Sequence, residues 1–195
     1  MKAYPRFLHA VVFAAVICIV LLCPNCTKAD GLTGSVGITW LDPDTSTVFG
    51  ADTIAVGSAL ACPDDESAVC IGFGDFGVQT FSVGTSSISY KSTGFDFDNF
   101  CCFGDGAFNG FDFTGLTFQG GGSLAGFTLT TDLAGLTASN VTFGPSSIAI
   151  NLANIPVNGD FTLNLLTSNT PEPSSLAMLG VGVLALASLT LKKPL

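Results

Sequence analysis

Short runs in which apolar and polar residues alternate constrain the fold of this chain most strongly. In Ser147–Leu152, the apolar residues Ile148, Ile150 and Leu152 share one face of an extended strand. Phe161–Leu165 repeats the pattern, with apolar residues at odd positions and polar residues at even ones. A period of two residues is typical of a strand that packs one face on a core and turns the other to water. These runs therefore predict β-structure.

Similar runs recur along residues 30–168, separated by clusters of Gly, Ser, Asp and Pro, and no long run has a helical period. Many short strands at close spacing are typical of two packed sheets. We therefore predict an all-β fold: a single β-sandwich-like domain of about ten short strands. The predicted strands are Val36–Leu41, Thr47–Val56, Val69–Phe73, Val78–Val83, Ser86–Lys91, Gly110–Phe118, Ser123–Thr130, Ser139–Phe143, Ser147–Leu152 and Asp160–Leu166.

The first 29 residues have the three parts of a secretory signal peptide. Lys2 and Arg6 form a basic start, Phe7–Leu22 is an almost unbroken apolar stretch, and Ala29 is a small residue at the expected cleavage site. We therefore predict an N-terminal signal helix that directs export and is then removed. None of the cysteines in this segment follows the small residue that a lipoprotein signal requires, so we expect no lipid attachment.

An uncharged stretch near the other end predicts a transmembrane helix. Ser174–Leu191 comprises eighteen residues without a charge, and a helix of that length spans about 27 Å, enough for the hydrocarbon core of a bilayer. Lys192 and Lys193 follow directly. Because positive residues stay on the cytoplasmic side, these lysines are expected to stop the helix in the inner membrane and to leave the preceding domain outside.

The residues just before this helix carry a family resemblance. Pro171, Glu172 and Pro173 precede the apolar stretch, and two lysines follow it. This order of triplet, apolar helix and basic end resembles the PEP-CTERM sorting signal, with lysines in place of the arginine cluster often found there. The alternative is a plain membrane anchor with an incidental Pro-Glu-Pro linker. The predicted parts of the chain are a signal peptide (1–29), a secreted β-rich domain (30–168) and a sorting signal (169–195).

The resemblance implies a route and a set of partners. An exosortase, an integral membrane protease-transpeptidase of Gram-negative-type bacteria, recognises the triplet, cleaves nearby and passes the domain to the cell surface or the extracellular matrix. The triplet is then a substrate of that enzyme and has no catalytic role. Proteins of this kind commonly accompany exopolysaccharide and biofilm production. Such a tail is also known as an ice-binding protein C-terminal motif, although residues 30–168 have no regular Thr-x-Thr array.

The predicted domain is strongly acidic. Residues 30–170 contain fourteen Asp or Glu residues and one basic residue, Lys91, which gives a formal charge of −13. Such a surface repels phosphate backbones, so nucleic acid is excluded as a partner. The same charge keeps the protein soluble and attracts cations.

Four cysteines, Cys62, Cys70, Cys101 and Cys102, remain after removal of the signal peptide. Export makes disulfide bonds the expectation, and three pairings are open. A bond between the neighbours Cys101 and Cys102 strains the peptide between them, so this pairing is the least favoured. Cys62 and Cys70 bracket a predicted turn, and a bond there would stabilise the fold by about 2.6 kcal/mol in the chain-entropy model. A zinc site is disfavoured, because close Cys-x-x-Cys pairs and histidines are missing.

A phenylalanine-rich segment spans residues 94–122 and contains eight of the seventeen phenylalanines. The sequence Gly-Phe-Asp-Phe occurs in it twice, at Gly94–Phe97 and Gly110–Phe113. In a strand, both phenylalanines of each copy share one face and the aspartate takes the other. We predict two core strands; the alternative is an exposed aromatic surface that grips sugar or protein. The phenylalanines are Phe95, Phe97, Phe100, Phe103, Phe108, Phe111, Phe113 and Phe118.

Residues 30–170 lack the groups that most catalytic sites need. The one histidine, His9, and the one arginine, Arg6, lie in the signal peptide, which excludes a Ser-His-Asp or Cys-His site from the domain. No glycine loop with a phosphate-binding lysine is present either. A glycosidase that uses two carboxylates is the enzymatic alternative, although no spacing selects the pair. We therefore predict no catalytic residues and no enzymatic activity.

No cofactor is expected, with calcium as the alternative. Asp96, Asp98 and Asn99 lie close together, and Asp105 follows. Oxygen-rich loops of this kind suit a hard cation, but no stretch matches the Asp-x-Asp-x-Asp-Gly calcium loop. The other acidic groups are Asp42 with Asp44, and Asp64, Asp65 and Glu66.

Taken together, these features predict an exported, non-enzymatic surface or extracellular-matrix protein, sorted by its tail and associated with exopolysaccharide or biofilm. The predicted partners are the exosortase, the secretion machinery and the inner membrane. The alternative function is a carbohydrate-binding or adhesion module that uses the phenylalanine-rich segment and is stabilised by calcium.

Overall fold

The structure is a computed structural model, which describes residues 31–64, 66–73, 77–93 and 102–168, together with Gly182. Twelve β-strands and one short α-helix lie within these ranges. The elements are Leu32–Thr33 (β1), Ser35–Leu41 (β2), Val48–Ala55 (β3), Ser58–Cys62 (β4), Ala68–Phe73 (α1), Val78–Val83 (β5), Ser87–Thr93 (β6), Gly110–Thr114 (β7), Thr117–Phe118 (β8), Ser123–Thr131 (β9), Val141–Gly144 (β10), Ser147–Asn151 (β11) and Gly159–Ser168 (β12).

Ten of these strands form two five-stranded antiparallel sheets. The first sheet has the order β10-β11-β7-β2-β3, and the second has the order β4-β5-β6-β12-β9. β1 and β8 form a separate two-stranded sheet. The prediction of a mostly β protein is therefore confirmed.

The two large sheets pack face to face through aromatic side chains. The ring of Phe111, on β7 of the first sheet, lies 4.7 Å from that of Phe81 on β5 and 6.0 Å from that of Tyr90 on β6. Phe81 and Tyr90 belong to the second sheet, and Ile148 and Ile150, beside Phe111 on β11, are fully buried. Each such side chain stabilises the fold by about 1.5–3 kcal/mol.

One predicted strand is wrong, because Val69–Phe73 lies in helix α1. Ser67 begins the helix: its Oγ accepts a hydrogen bond from the backbone N of Cys70 at 3.2 Å, and its carbonyl accepts one from Ile71 N at 2.9 Å. Val69 and Cys70 are buried, whereas Ile71 is 64 % exposed. The β-propensity of these residues is overridden by a local cap and by packing against β3.

Other boundaries differ from the predictions for identifiable reasons. The predicted strand Gly110–Phe118 divides into β7 and β8, because Gly115 has a φ of +71°, a conformation that favours glycine and turns the chain. The predicted strand Ser139–Phe143 begins with the 3₁₀ turn Ala138–Asn140. Strands β1 and β4 were not predicted. β4 has the sequence Ser-Ala-Leu-Ala-Cys, which lacks a clear alternation of polar and apolar residues.

The two predicted membrane-directed segments, 1–29 and 174–191, lie outside the described residues apart from Gly182. Within the described ranges, no helix has the length and apolar character needed to cross a membrane.

A disulfide bond joins Cys62, at the end of β4, to Cys70 in α1. Both cysteines are 2 % exposed, so the bond ties the helix to the sheet inside the core. Cys102 is also disulfide-bonded, and Cys101 lies outside the described residues.

A network of side-chain amides fixes the segment that precedes β7. Trp40 Nε1 donates to Asn109 Oδ1 at 3.1 Å. Asn151 Oδ1 accepts from the backbone N of Asn109 at 3.1 Å, and its Nδ2 donates to the carbonyl of Ala107 at 3.1 Å. These bonds hold the segment against the ends of β2 and β11, because the buried Trp40 N–H and the Asn151 amide both find partners there.

The Cys62–Cys70 bond should contribute measurably to stability. We expect the double variant Cys62→Ala/Cys70→Ala to lower the free energy of unfolding by about 2.6 kcal/mol, because the nine-residue loop is then unrestrained in the unfolded chain. The melting temperature of the purified chain should fall by about 5–10 °C in calorimetry. An unchanged melting temperature would contradict this expectation.

The Phe111 ring should be one of the costliest core side chains to truncate. It is 0 % exposed and contacts aromatic rings of both sheets, so Phe111→Ala should lower the free energy of unfolding by about 3–5 kcal/mol. Phe143→Ala is the matched control; this ring is 46 % exposed, and we expect a loss of about 1 kcal/mol. Urea unfolding measures both, and equal losses would show that the core is placed wrongly. Phe111→Leu keeps more volume and remains informative if the alanine variant does not fold.

Candidate functional site

The residues predicted for sorting lie beyond the part of the chain that the structure describes. They are Pro171, Glu172, Pro173, Lys192 and Lys193. The last described strand, β12, ends at Ser168 and pairs with β6 and β9 inside its sheet. The triplet therefore follows the folded strands directly in sequence.

The predicted calcium residues are not brought together in the described part. Asp96, Asp98 and Asn99 lie outside it, and Asp105 is an exposed residue between Gly104 and Gly106. Within the described ranges, no group of three His, Cys, Asp or Glu residues is placed to hold a metal ion. The calcium interpretation stays a prediction.

Two other acidic residues, Asp44 and Asp64, accept hydrogen bonds within their own loops. Asp44 Oδ1 accepts hydrogen bonds from the backbone N of Ser46 at 2.8 Å, from its Oγ at 2.7 Å and from the backbone N of Thr47 at 2.9 Å. The bonds from Ser46 contribute most to holding the pKa of the Asp44 carboxyl below its ordinary value. Asp64 Oδ1 accepts from the backbone N of Glu66 at 3.0 Å. These carboxylates have structural partners in their own loops.

The alternative of an exposed aromatic surface at residues 94–122 is wrong for the five phenylalanines of this segment that the structure describes. All five of them are at most 8 % exposed, so they belong to the core. The other three of the predicted segment, Phe95, Phe97 and Phe100, lie outside the described residues. The five buried phenylalanines are Phe103, Phe108, Phe111, Phe113 and Phe118.

The second Gly-Phe-Asp-Phe copy places an aspartate on the outer face of the first sheet. Phe111 and Phe113 are fully buried, and Asp112 between them is half-buried on the opposite face. Asp112 pairs with Thr39 on β2 and with Ala149 on β11. Three other strands of the sheet, β2, β11 and β10, therefore lie beside the strand of this carboxylate, because Ala149 in turn pairs with Thr142 of β10.

Asp112 lines a cleft of about 350 Å³ on that outer face, which we call the Asp112 cleft. Phe108 N donates to the carbonyl of Pro43 at 3.1 Å, so the loop after β2 and the segment before β7 close one side. The 3₁₀ turn before β10 closes the other side. The residues that line the Asp112 cleft are Leu41, Thr45, Phe108, Asp112, Ser139, Asn140, Thr142, Ala149 and Asn151.

The Asp112 carboxylate has no local compensation in this cleft. Burial raises its pKa above the ordinary value, and desolvation is the cause. None of the described residues donates a hydrogen bond to it. Lys91, the one Lys or Arg of the described part, lies on β6 in the other sheet. Because none of the described residues donates to it, the Asp112 carboxylate can accept hydrogen bonds from a ligand.

The outer face of the second sheet is polar but almost uncharged. Ser82, Ser89, Thr162 and Thr130 stand opposite one another on four successive strands. A second row lies two residues further along three of these strands, β6, β12 and β9. We call the two rows together the hydroxyl face. The second row consists of Ser87, Asn164 and Thr128.

The hydroxyl face presents a regular array of hydrogen-bonding groups. Neighbouring strands lie about 4.8 Å apart, so its side chains repeat at that spacing across the sheet. Beside it, a shallow groove of about 520 Å³ follows edge strand β9, between Thr128, Thr130 and the turn at Thr137. Hydroxyl and amide groups of this kind can bind water or the hydroxyls of a glycan. Neither this face nor the Asp112 cleft was foreseen in the sequence analysis, since each combines distant strands.

Comparison with known proteins finds a match for the tail and none for the domain. No curated protein and no solved structure matches the chain. Residues 169–193 match the PEP-CTERM protein-sorting motif, a motif of exported proteins that are sorted to the cell envelope or surface through an exosortase. The chain therefore carries a PEP-CTERM sorting motif directly after the last strand of its described β-domain.

Proposed function

We propose that the protein is a non-enzymatic component of the cell surface or extracellular matrix of a Gram-negative-type bacterium. In this proposal a signal peptide starts export, the helix at 174–191 holds the chain transiently in the inner membrane, and an exosortase then releases the β-domain. The observation that carries the proposal is the match of residues 169–193 to the PEP-CTERM sorting motif.

The position of the triplet supports release of a folded domain. β12 pairs with two neighbours along most of its length and ends at Ser168, so cleavage near Pro171–Pro173 removes no strand residue. The domain keeps both large sheets and the Cys62–Cys70 bond after such a cut. A buried disulfide also suits an oxidising space outside the cytoplasm.

The described surface supports a structural role over a catalytic one. The Asp112 cleft contains a single carboxylate, whereas glycoside hydrolysis uses two. The carboxylates of Asp44 and Asp64 are engaged in turns. The uncharged hydroxyl and amide groups of the hydroxyl face favour contact with a hydrated polymer. The sorting motif implies an exopolysaccharide or biofilm matrix as the setting.

A carbohydrate-binding or adhesion module is the second candidate function. It is favoured by the hydroxyl face and by the Asp112 cleft, which combines a carboxylate, amides and apolar side chains. Sites that recognise small polar ligands have this composition. Among the described phenylalanines of residues 94–122, Phe108 lines this cleft, whereas the other four are buried in the core.

The sorting proposal predicts that the triplet is needed for release. We expect the variant Pro171→Ala/Glu172→Ala/Pro173→Ala, expressed in a bacterium that has an exosortase, to accumulate unprocessed in the membrane fraction, because the helix remains attached. Immunoblots of membrane, cell-surface and medium fractions, with mass spectrometry of the released species, measure the effect.

Two variants serve as controls for this experiment. Pro194→Ala lies in the same tail but outside the triplet, and it should be processed as the wild type is. Lys192→Ala/Lys193→Ala removes the predicted stop and should weaken retention in the membrane. Normal processing and release of the triplet variant would overturn the proposal.

A further inference from the structure

The Asp112 carboxylate is a described feature that core packing does not explain. It is half-buried, none of the described residues donates a hydrogen bond to it, and the cleft contains no other titratable side chain. Removing water from an unpaired carboxylate destabilises the folded state. Asparagine has nearly the same shape and would avoid this cost. The Asp112 oxygens are open to the cleft, so the hydroxyls of a ligand can replace the water there as hydrogen-bond donors.

Three more polar groups of the Asp112 cleft have unused hydrogen-bonding capacity within the described part. The hydroxyls of Thr45 and Thr142 have no described partner. Asn140 Oδ1 accepts hydrogen bonds from the backbone N of Thr137 at 3.1 Å and from its Oγ1 at 3.0 Å. These bonds fix the amide, and Asn140 Nδ2 is left to donate elsewhere. The cleft thus offers hydroxyls, an amide donor and a charged acceptor together.

Apolar side chains complete the lining of the cleft. Leu41, Phe108 and Ala149 contribute carbon surface beside the polar groups. A sugar ring has the matching chemistry, because hydroxyls surround its edge and C–H groups cover its faces. The volume of about 350 Å³ lies near the lower end of the range for ligand pockets, ~300–1,000 Å³, and it suits one sugar unit of a polymer or a chain end.

We propose that the Asp112 cleft binds a single uncharged sugar unit, with the Asp112 carboxylate accepting hydrogen bonds from its hydroxyls. The proposal rests on the second candidate function and gives it a site and a ligand class. Calcium fits less well, because it takes 6–8 oxygen ligands and usually several carboxylates, and the lining has one carboxylate. Acidic sugars are disfavoured by repulsion from Asp112 and from a domain with a formal charge of −13.

Binding to defined glycans tests the proposal. The purified full-length chain in detergent is applied to an array of neutral and uronic-acid oligosaccharides, and calorimetry gives the Kd for the tightest neutral oligosaccharide. We expect neutral probes to bind and uronic-acid probes to bind more weakly. Asp112→Asn should raise the Kd about 10-fold or more, since hydrogen bonds to a charged acceptor are lost. Thr142→Val should raise it by a smaller factor.

Two controls separate a binding role from a role in folding. Asp160→Asn makes the same chemical change at an exposed residue of β12 in the other sheet, and its Kd should equal that of the wild type. Asp112→Asn should raise the melting temperature at pH 7, because burial raises the pKa of Asp112 and disfavours its ionised form in the folded state. Weaker binding by a more stable protein cannot come from misfolding.

The other outcomes overturn the proposal in distinguishable ways. Neutral-glycan binding that Asp112→Asn leaves unchanged would keep the carbohydrate-binding function and remove the cleft from it. Absence of binding to every neutral probe would reject that function too, without touching the sorting proposal. A melting-temperature shift with calcium chloride that Asp112→Asn abolishes, without glycan binding, would make the cleft a cation site.

Discussion

The packing of β7 against the second sheet is the constraint on which the rest of the described structure depends. Phe111 contacts Phe81 and Tyr90 across the interface and Trp40 within its own sheet. The strand alternates strictly, so the same backbone that buries Phe111 and Phe113 must turn Asp112 outward. Core and candidate site are therefore two faces of one strand. A one-residue slip of β7 would bury the carboxylate and expose both rings.

Most of the β-structure was predictable, because burial on one face of a strand leaves a period of two in the sequence. Ile148 with Ile150 and Phe161 with Leu163 show it most clearly, and all four are fully buried. The prediction failed at Val69–Phe73, where residues with β-propensity form a helix fixed by the Ser67 cap and the Cys62–Cys70 bond. The alternation of residues in a sequence does not reveal such a disulfide bond, since the bond depends on which cysteines meet in space.

The candidate site was predictable only in part. The Gly-Phe-Asp-Phe motif predicts that Asp112 lies opposite its two phenylalanines, and the structure has that arrangement. The cleft itself needs Leu41 and Asn140, which lie far from Asp112 in sequence and approach it through the strand order β10-β11-β7-β2. The alternation of residues in one sequence predicts which face of a strand a residue occupies. It does not predict which strands lie next to that strand in the sheet.

The two ends of the chain carry most of its basic residues, whereas the domain between them is acidic. This difference in charge separates the proposed sorting segments from the proposed binding surfaces. Every basic residue except Lys91 lies in the terminal segments, which we propose direct export and sorting. The domain then faces its surroundings with acidic loops, the hydroxyl face and the Asp112 cleft. Acidic loops repel acidic polymers over the ~8 Å Debye length of physiological salt, whereas a neutral glycan can approach every surface. Specific attraction must therefore come from short-range hydrogen bonds, and Asp112 is a charged group to which none of the described residues donates one.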